Sequence, residues 1–132
     1  MRLPEQRLWD AMRKNCPADL WLERVENLVG DGMPDVAVVN AGAWVELKAA
    51  KKPKRPTTKM LGKQGLRQSQ KNWHKDAAQT GTRCYTLIRD DKRQLYLVPA
   101  TRSDELNEMT QGELAAASVA DNWPDIFEEL KR

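Results

Sequence analysis

Two short apolar runs meeting at a turn constrain this chain most. Residues 35–39 read Asp-Val-Ala-Val-Val, residues 43–49 read Ala-Trp-Val-Glu-Leu-Lys-Ala, and Asn40-Ala41-Gly42 lies between them. β-branched residues favour strands, and Asn and Gly tolerate the positive φ of a tight turn. The pattern predicts a β-hairpin. Side chains alternate faces along a strand, so Val45, Leu47 and Ala49 face one side and Glu46 and Lys48 the other. Where Asp35 falls depends on the turn. With Asn40 and Ala41 as the loop, Asp35 lies opposite Glu46. With Ala41 and Gly42 as the loop, it lies opposite Lys48. Both turns put Asp35, Glu46 and Lys48 on one face, whereas a three-residue turn moves Asp35 away unless a bulge corrects it.

The rest of the chain extends the hairpin into an α/β pattern. Residues 4–15 form a first helix: Pro4 suits a first helical position, Glu5 complements the N-terminal dipole, and Leu8, Trp9, Ala11 and Met12 supply its apolar face. Pro17 ends it. Residues 20–27, with Trp21 and Val25, read as a first strand, and Gly30-Asp31-Gly32 as a loop. Residues 51–63, with Pro53, Pro56 and Gly62, read as a mobile loop. A helix is predicted over 65–80, with Leu66, Trp73, Ala77 and Ala78 on its apolar side and Gly81 as its stop. Strands at 82–89 and 94–99 flank a turn at Asp90-Asp91-Lys92, and helices follow at 103–109, 111–119 and 124–130. This order predicts helices layered on a mixed sheet. At 132 residues one domain is expected, with a core over about 4–100 and a helical extension over about 101–132.

Net charge is only +3, but ten Lys or Arg and no Asp or Glu fall between Lys48 and Lys75. Between Ser103 and Arg132 there are eight acids against two cations. A basic stripe on an otherwise balanced chain is the footprint of nucleic-acid binding, and its bland alternative is a solvated lysine loop. No apolar run approaches the length of a membrane helix. The N-terminus lacks a hydrophobic leader, so a cytoplasmic setting is expected. Cys16 and Cys84 then read as reduced thiols. With His74 as the only histidine, they are too few for a Cys-rich zinc module.

Two neighbouring carboxylates repel unless a cation joins them. Oxygen ligands suit Mg2+ or Mn2+, which engage phosphate and acidify bound water. Lys48 beside such a pair can position an attacking water, help deprotonate it, or bind phosphate. A cross-strand salt bridge is the structural alternative, since Glu-x-Lys is common by chance.

Gly32-Met33-Pro34-Asp35, a spacer, and Glu46-Leu47-Lys48 on the next strand resemble the PD-(D/E)XK nuclease superfamily. The wider pattern looks most like its VRR-NUC (virus-type replication-repair nuclease) branch. There an acid in a first helix precedes the motif, and a basic stretch and a helix with Gln and a following aromatic come after it. Glu5 and Gln70-Lys71-Asn72-Trp73 occupy those places, and the match runs from residue 4 to about 98. The Val-Arg-Arg string that names the branch is absent.

The resemblance implies a restriction-endonuclease-like core and a metal-dependent endonuclease. Asp35 and Glu46 would ligate Mg2+ or Mn2+ with the backbone carbonyl of Leu47, and Glu5 would approach the metal directly or through water. Lys48 would be the catalytic lysine. Gln70 would contact the scissile phosphate or orient Lys48, with Gln64 and Gln68 as competitors. Glu23 and Glu26 rival Glu5, whose alternative is a dipole role alone. Trp73 reads as core packing, and His74 as a solvent-facing or lightly bonded imidazole rather than a base. Lys51, Lys52, Lys54, Arg55, Lys59, Lys63 and Arg67 are the expected DNA contacts. Compact members of the branch resemble archaeal Holliday-junction resolvases, which implies a homodimer acting on branched DNA such as junctions or flaps. A phage origin follows by the same analogy. Trp9, Trp21, Trp44 and Trp123 are too many for one core, so one or two are expected at the dimer interface.

Overall fold

The hairpin organises a five-stranded sheet. The computed structural model describes residues 3–25 and 31–132. Its elements are α1 (Pro4–Asn15), β1 (Leu22–Arg24), β2 (Val36–Val38), β3 (Ala43–Ala50), α2 (Gln68–Thr80), β4 (Arg83–Asp90), β5 (Leu95–Pro99), α3 (Gln111–Ala117) and α4 (Trp123–Lys131), with 3-10 helices at Gly62–Gln64 and Ala100–Glu108. The strand order is β1-β2-β3-β4-β5. All neighbours are antiparallel except β3 and β4, which run parallel. A parallel pair needs a long crossover, and the segment carrying α2 provides it.

The sheet is covered on both faces. On one, Leu8 and Met12 of α1 and Ile126, Phe127 and Leu130 of α4 pack on Val36, Val38, Val45, Leu47, Leu87 and Leu97. On the other, Leu106 and Leu114 pack on Ile88, Tyr96 and Val98, while Ala77 of α2 meets Cys84. The acidic C-terminal helix is thus part of the core. Arg83 ties it to the hairpin by donating to the Glu129, Leu130 and Ala41 carbonyls.

The hairpin has the first of the two registers that keep Asp35 with Glu46. Val36 pairs with Val45 and Val38 with Ala43, so continuing the register by one residue places Asp35 opposite Glu46. The ladder stops earlier than a two-residue turn would allow. Ala41 N and Gly42 N both donate to the Val38 carbonyl, and the Asn40 side chain instead bridges Trp21 N and the Asp19 carbonyl.

Four expectations change. The first strand is Leu22–Arg24 rather than 20–27, of which residues 26 and 27 lie outside the described residues along with Gly30. α2 begins at Gln68 rather than 65, because the Asn107 side chain bonds both Leu66 N and Leu66 O and holds that stretch extended. The loop after β3 is anchored at its far end. Met60 and Leu61 are buried, Met60 N donates to the Met109 carbonyl, and Lys59 bridges to Thr110. The predicted helix at 103–109 is a 3-10 helix starting at Ala100.

Candidate active site

The site lies where β2 and β3 pass under the N-terminus of α2. Asp35 leads into β2, and its carbonyl accepts from Val25 N at 2.7 Å. Its Oδ2 accepts from Leu47 N at 2.8 Å, which holds the carboxylate against β3. Glu46 and Lys48 are buried on the α2 side of β3, 2% and 8% exposed. Gln70 Nε2 donates to Glu46 Oε2 at 3.2 Å, while Gln70 Oε1 accepts from Arg67 N at 2.9 Å. One buried amide therefore caps the helix and orients the glutamate.

Gly32 makes this approach possible. Its φ is +85°, and a Cβ built there would lie 2.2 Å from the Ser69 carbonyl oxygen. No L side chain fits that contact, and the conformation itself favours glycine. The Gly-x-Pro-Asp string thus works in space as well as in sequence: Gly32 seats the loop on α2, and Asp35 follows on the facing strand.

The electrostatics place Glu46 at the centre. Burial raises its pKa, the Asp35 carboxyl raises it further, and Lys48 partly offsets both. Glu46 Oε1 is buried without a hydrogen-bond partner among the described residues, as is Thr86 Oγ1, which sits beside Glu46 in the β3–β4 register. When ionised, neither Asp35 nor Glu46 is a donor, so the pair closes only by sharing a proton or a cation. A buried, unpartnered acceptor facing a second carboxylate fits a hard divalent ion, which takes oxygen ligands. The donors are two: among the described residues no three of His, Cys, Asp and Glu gather closely enough to cage a metal. Glu5 is half-buried and feels both Lys48 and Asp35, but its raised pKa comes first from desolvation. It borders the pair from α1 without completing a three-acid cluster.

The competing residues lie apart from this centre. Glu23 is exposed and accepts from Trp21 Nε1 at 3.0 Å, and Glu26 lies outside the described residues. Gln68 is exposed and bonds Asn72, and Gln64 is exposed too. Trp73 is half-buried and meets Trp44 edge to face at 5.5 Å. His74 is a correction: the ring is fully buried rather than solvent-facing. It is bonded to Ser103 Oγ at 3.2 Å and faces Cys84 Sγ at 3.5 Å. The cause is helical phase, since positions 70, 74 and 77 turn to the sheet, with Ala78 partly buried beside them. Burial, with Lys48 nearby, lowers its pKa to about 4, so the imidazole is neutral. Lys51, Lys52, Lys54, Arg55, Lys59, Lys63 and Arg67 are all exposed, though Lys59 pairs with Glu108 and Arg67 approaches Asp31 at 3.9 Å. Nothing in the sequence marks Thr86, because its position depends on the parallel pairing of β4 with β3, which no local pattern encodes.

A mixed five-stranded sheet flanked by helices, with these residues at its hairpin, defines a restriction-endonuclease-type α/β fold. Among solved structures it is similar to that of Hjc, a Holliday junction resolvase from the archaeal hyperthermophile Archaeoglobus fulgidus. The TM-score is 0.55 at 12% sequence identity, over 94% of this chain and 96% of that one. No protein-family model and no curated protein matches the chain. At that identity the likeness establishes the fold alone. Among the described residues no helix is long and apolar enough to cross a membrane.

Proposed function

We propose that this chain is a divalent-metal-dependent DNA endonuclease that hydrolyses phosphodiester bonds in branched DNA. The observation that carries the reading is the facing pair Asp35 and Glu46, with a buried, unpartnered oxygen on Glu46 and Lys48 on the same face of the strand. Mg2+ or Mn2+ held by Asp35, Glu46 and the Leu47 carbonyl would neutralise charge on the phosphate and acidify a bound water. Lys48, whose charge acts on both Glu46 and Glu5, would present its ammonium to the attacking water or a phosphate oxygen. Gln70 keeps Glu46 aimed, and the exposed basic loop holds the DNA backbone.

Preference for branched DNA rests on two further points. No base-reading motif occurs in the chain, and Hjc, which shares the fold, is a Holliday junction resolvase. A homodimer would present two such sites and two basic loops to a junction, and Trp21, 55% exposed beside the sheet edge, is a candidate for its interface.

The test is cleavage of a labelled four-way junction, a flap and a linear duplex in Mg2+, Mn2+ or EDTA. The expected outcome is metal-dependent nicking, faster on the branched substrates. Binding without nicking in either metal would overturn the proposal in favour of a silent DNA-binding module. Equal rates on all three would remove the branch preference alone.

A further inference from the structure

A second cationic site lies beyond the proposed catalytic pair. Past Lys48, β3 ends at Ala49 and Ala50, and a cleft of about 510 Å3 opens there. Arg7 from α1, Arg89 from β4, Arg93 from the β4–β5 turn and Lys51 line it, with Asp90 and Asp91. None of these three arginines belongs to the basic stripe after Lys48. The fold gathers them from segments more than 80 residues apart at the extremes.

The two acids in the cleft are already engaged. Asp90 Oδ1 accepts from Lys92 N and Gln94 N, each at 2.9 Å, and its Oδ2 from the Tyr96 hydroxyl at 3.1 Å. Asp91 Oδ1 accepts from Lys52 N at 2.9 Å. No ion pair joins Arg7, Arg89 or Arg93 to an acid among the described residues. Their mutual proximity shows in Arg89, whose pKa is lowered first by desolvation and then by Arg93 and Arg7. Arg7, Arg89, Arg93 and Lys51 set four positive charges against the two of Asp90 and Asp91 in the cleft, and an anion relieves the repulsion among the guanidiniums.

The β4–β5 turn fixes where Arg93 sits. Arg93 has φ +65°, and among the described residues no other non-glycine has positive φ. Gly or Asn would sit there with less strain. The hairpin loop accounts for it: Arg93 N donates to the Asp90 carbonyl and Asp90 N to the Gln94 carbonyl, each at 3.0 Å, and three-residue loops of this kind end on a left-handed residue.

We propose that Arg7, Arg89 and Arg93 form a phosphate subsite that grips the DNA backbone beside the catalytic pair. It lies at the carboxyl end of the parallel strands, where open α/β sheets bind ligands. Arg89 pairs with Ala49 and so lies on the α1 face, across the sheet from Glu46 and Lys48. The cleft meets the pair around the end of β3, where Ala50 is about 7 Å along the strand from Lys48. That is about two nucleotide steps along a duplex axis, so the subsite would take a phosphate near the scissile one. This subsite rests on the reading of the chain as a DNA enzyme, and guanidiniums suit it by their bidentate fit to phosphate.

The experiment measures binding of fluorescein-labelled four-way junction in EDTA, where cutting does not interfere, by anisotropy from about 50 to 200 mM salt. Wild type is compared with Arg7→Ala/Arg89→Ala, with Arg93→Gly, and with Arg102→Ala as a control, since Arg102 already pairs with Glu105. The expected result is a salt slope lower by about 1 for each phosphate that is no longer gripped, with the control unchanged. Arg93→Gly is expected to bind DNA more weakly while melting no lower than wild type, a combination that a structural role for Arg93 would not produce. It also keeps the test open should Arg7→Ala/Arg89→Ala fail to fold. If wild type binds but these variants keep its slope and affinity, the subsite is wrong and the nuclease reading stands. If wild type binds no DNA at low salt, both fall.

Discussion

The backbone N–H of Leu47 donates to Asp35 Oδ2 at 2.8 Å. This bond crosses from one strand to the next and turns a loop-end carboxylate toward Glu46. It engages one oxygen of Asp35 and leaves the other for a cation. An Asn at this position keeps an acceptor for Leu47 but loses the charge. Asp35→Asn should therefore melt close to wild type, yet show no heat of Mn2+ binding by calorimetry. Mn2+ binding of wild-type strength by Asp35→Asn would remove Asp35 from the ligand set.

Gly32 predicts a linked loss of stability and activity. Its positive φ costs a side chain about 1–3 kcal/mol, and the close approach of Ser69 leaves no room for a methyl group. Gly32→Ala should lower the urea-unfolding free energy by at least that amount, since the clash with Ser69 adds to the strain. It should also weaken the Gln70–Glu46 bond by displacing the start of α2, which cleavage assays on the folded fraction would register. A variant of unchanged stability and rate would show that the loop does not seat on the helix.

Glu46 predicts an unusual pH response. Its folded pKa is raised above the ordinary 4.5, so the folded state binds the proton more tightly than the unfolded chain. Stability from this group is present below pH 4.5 and is lost as pH rises toward the folded pKa. Without metal, melting temperature should fall as pH rises through neutrality, and Glu46→Gln should flatten the fall. Mn2+ at about 100 times its Kd should restore about 2.7 kcal/mol to the wild type and nothing to the variant. A metal-free stability that rises with pH in that range would contradict this.

His74 titrates in the opposite sense. Its folded pKa of about 4 lies below the ordinary 6.5, so the unfolded chain binds the extra proton. Stability from the neutral ring is present above pH 6.5 and is lost as pH falls toward 4, by up to about 3 kcal/mol at 1.36 kcal/mol per unit. His74→Gln should be less stable at pH 7 but lose less on acidification. Denaturant melts from pH 7 to 4 would show whether the slope depends on this residue.

The hairpin was legible because turn chemistry and alternation are local: Val45 and Leu47 had to face the core, so Glu46 and Lys48 had to face away. The register was narrowed to two and decided by Asn40, whose side chain bonds Trp21 and Asp19 rather than closing a tighter turn. Gln70 was singled out through its motif, and its bond to Glu46 rather than Lys48 comes from α2 packing across the sheet. His74 was misplaced because one polar residue on a helix does not announce burial, and its partners Ser103 and Cys84 come from distant segments. The arginine cluster was invisible for the same reason. Arg89 and Arg93 share the mixed-charge run Arg89-Asp90-Asp91-Lys92-Arg93 at one turn, but nothing local brings Arg7 of α1 to them.

Whether Asp35, Glu46 and Lys48 cut DNA with a divalent metal is decided most directly by one rate. It is the single-turnover cleavage rate of a labelled four-way junction in Mn2+, for wild type and for Lys48→Ala shown to be folded. The expected result is nicking by wild type that EDTA abolishes, and a rate about 10²–10⁴-fold lower in Lys48→Ala, as for loss of a positioned acid–base group. A wild type that binds the junction but never nicks it, or a Lys48→Ala that cuts at the wild-type rate, would contradict this mechanism.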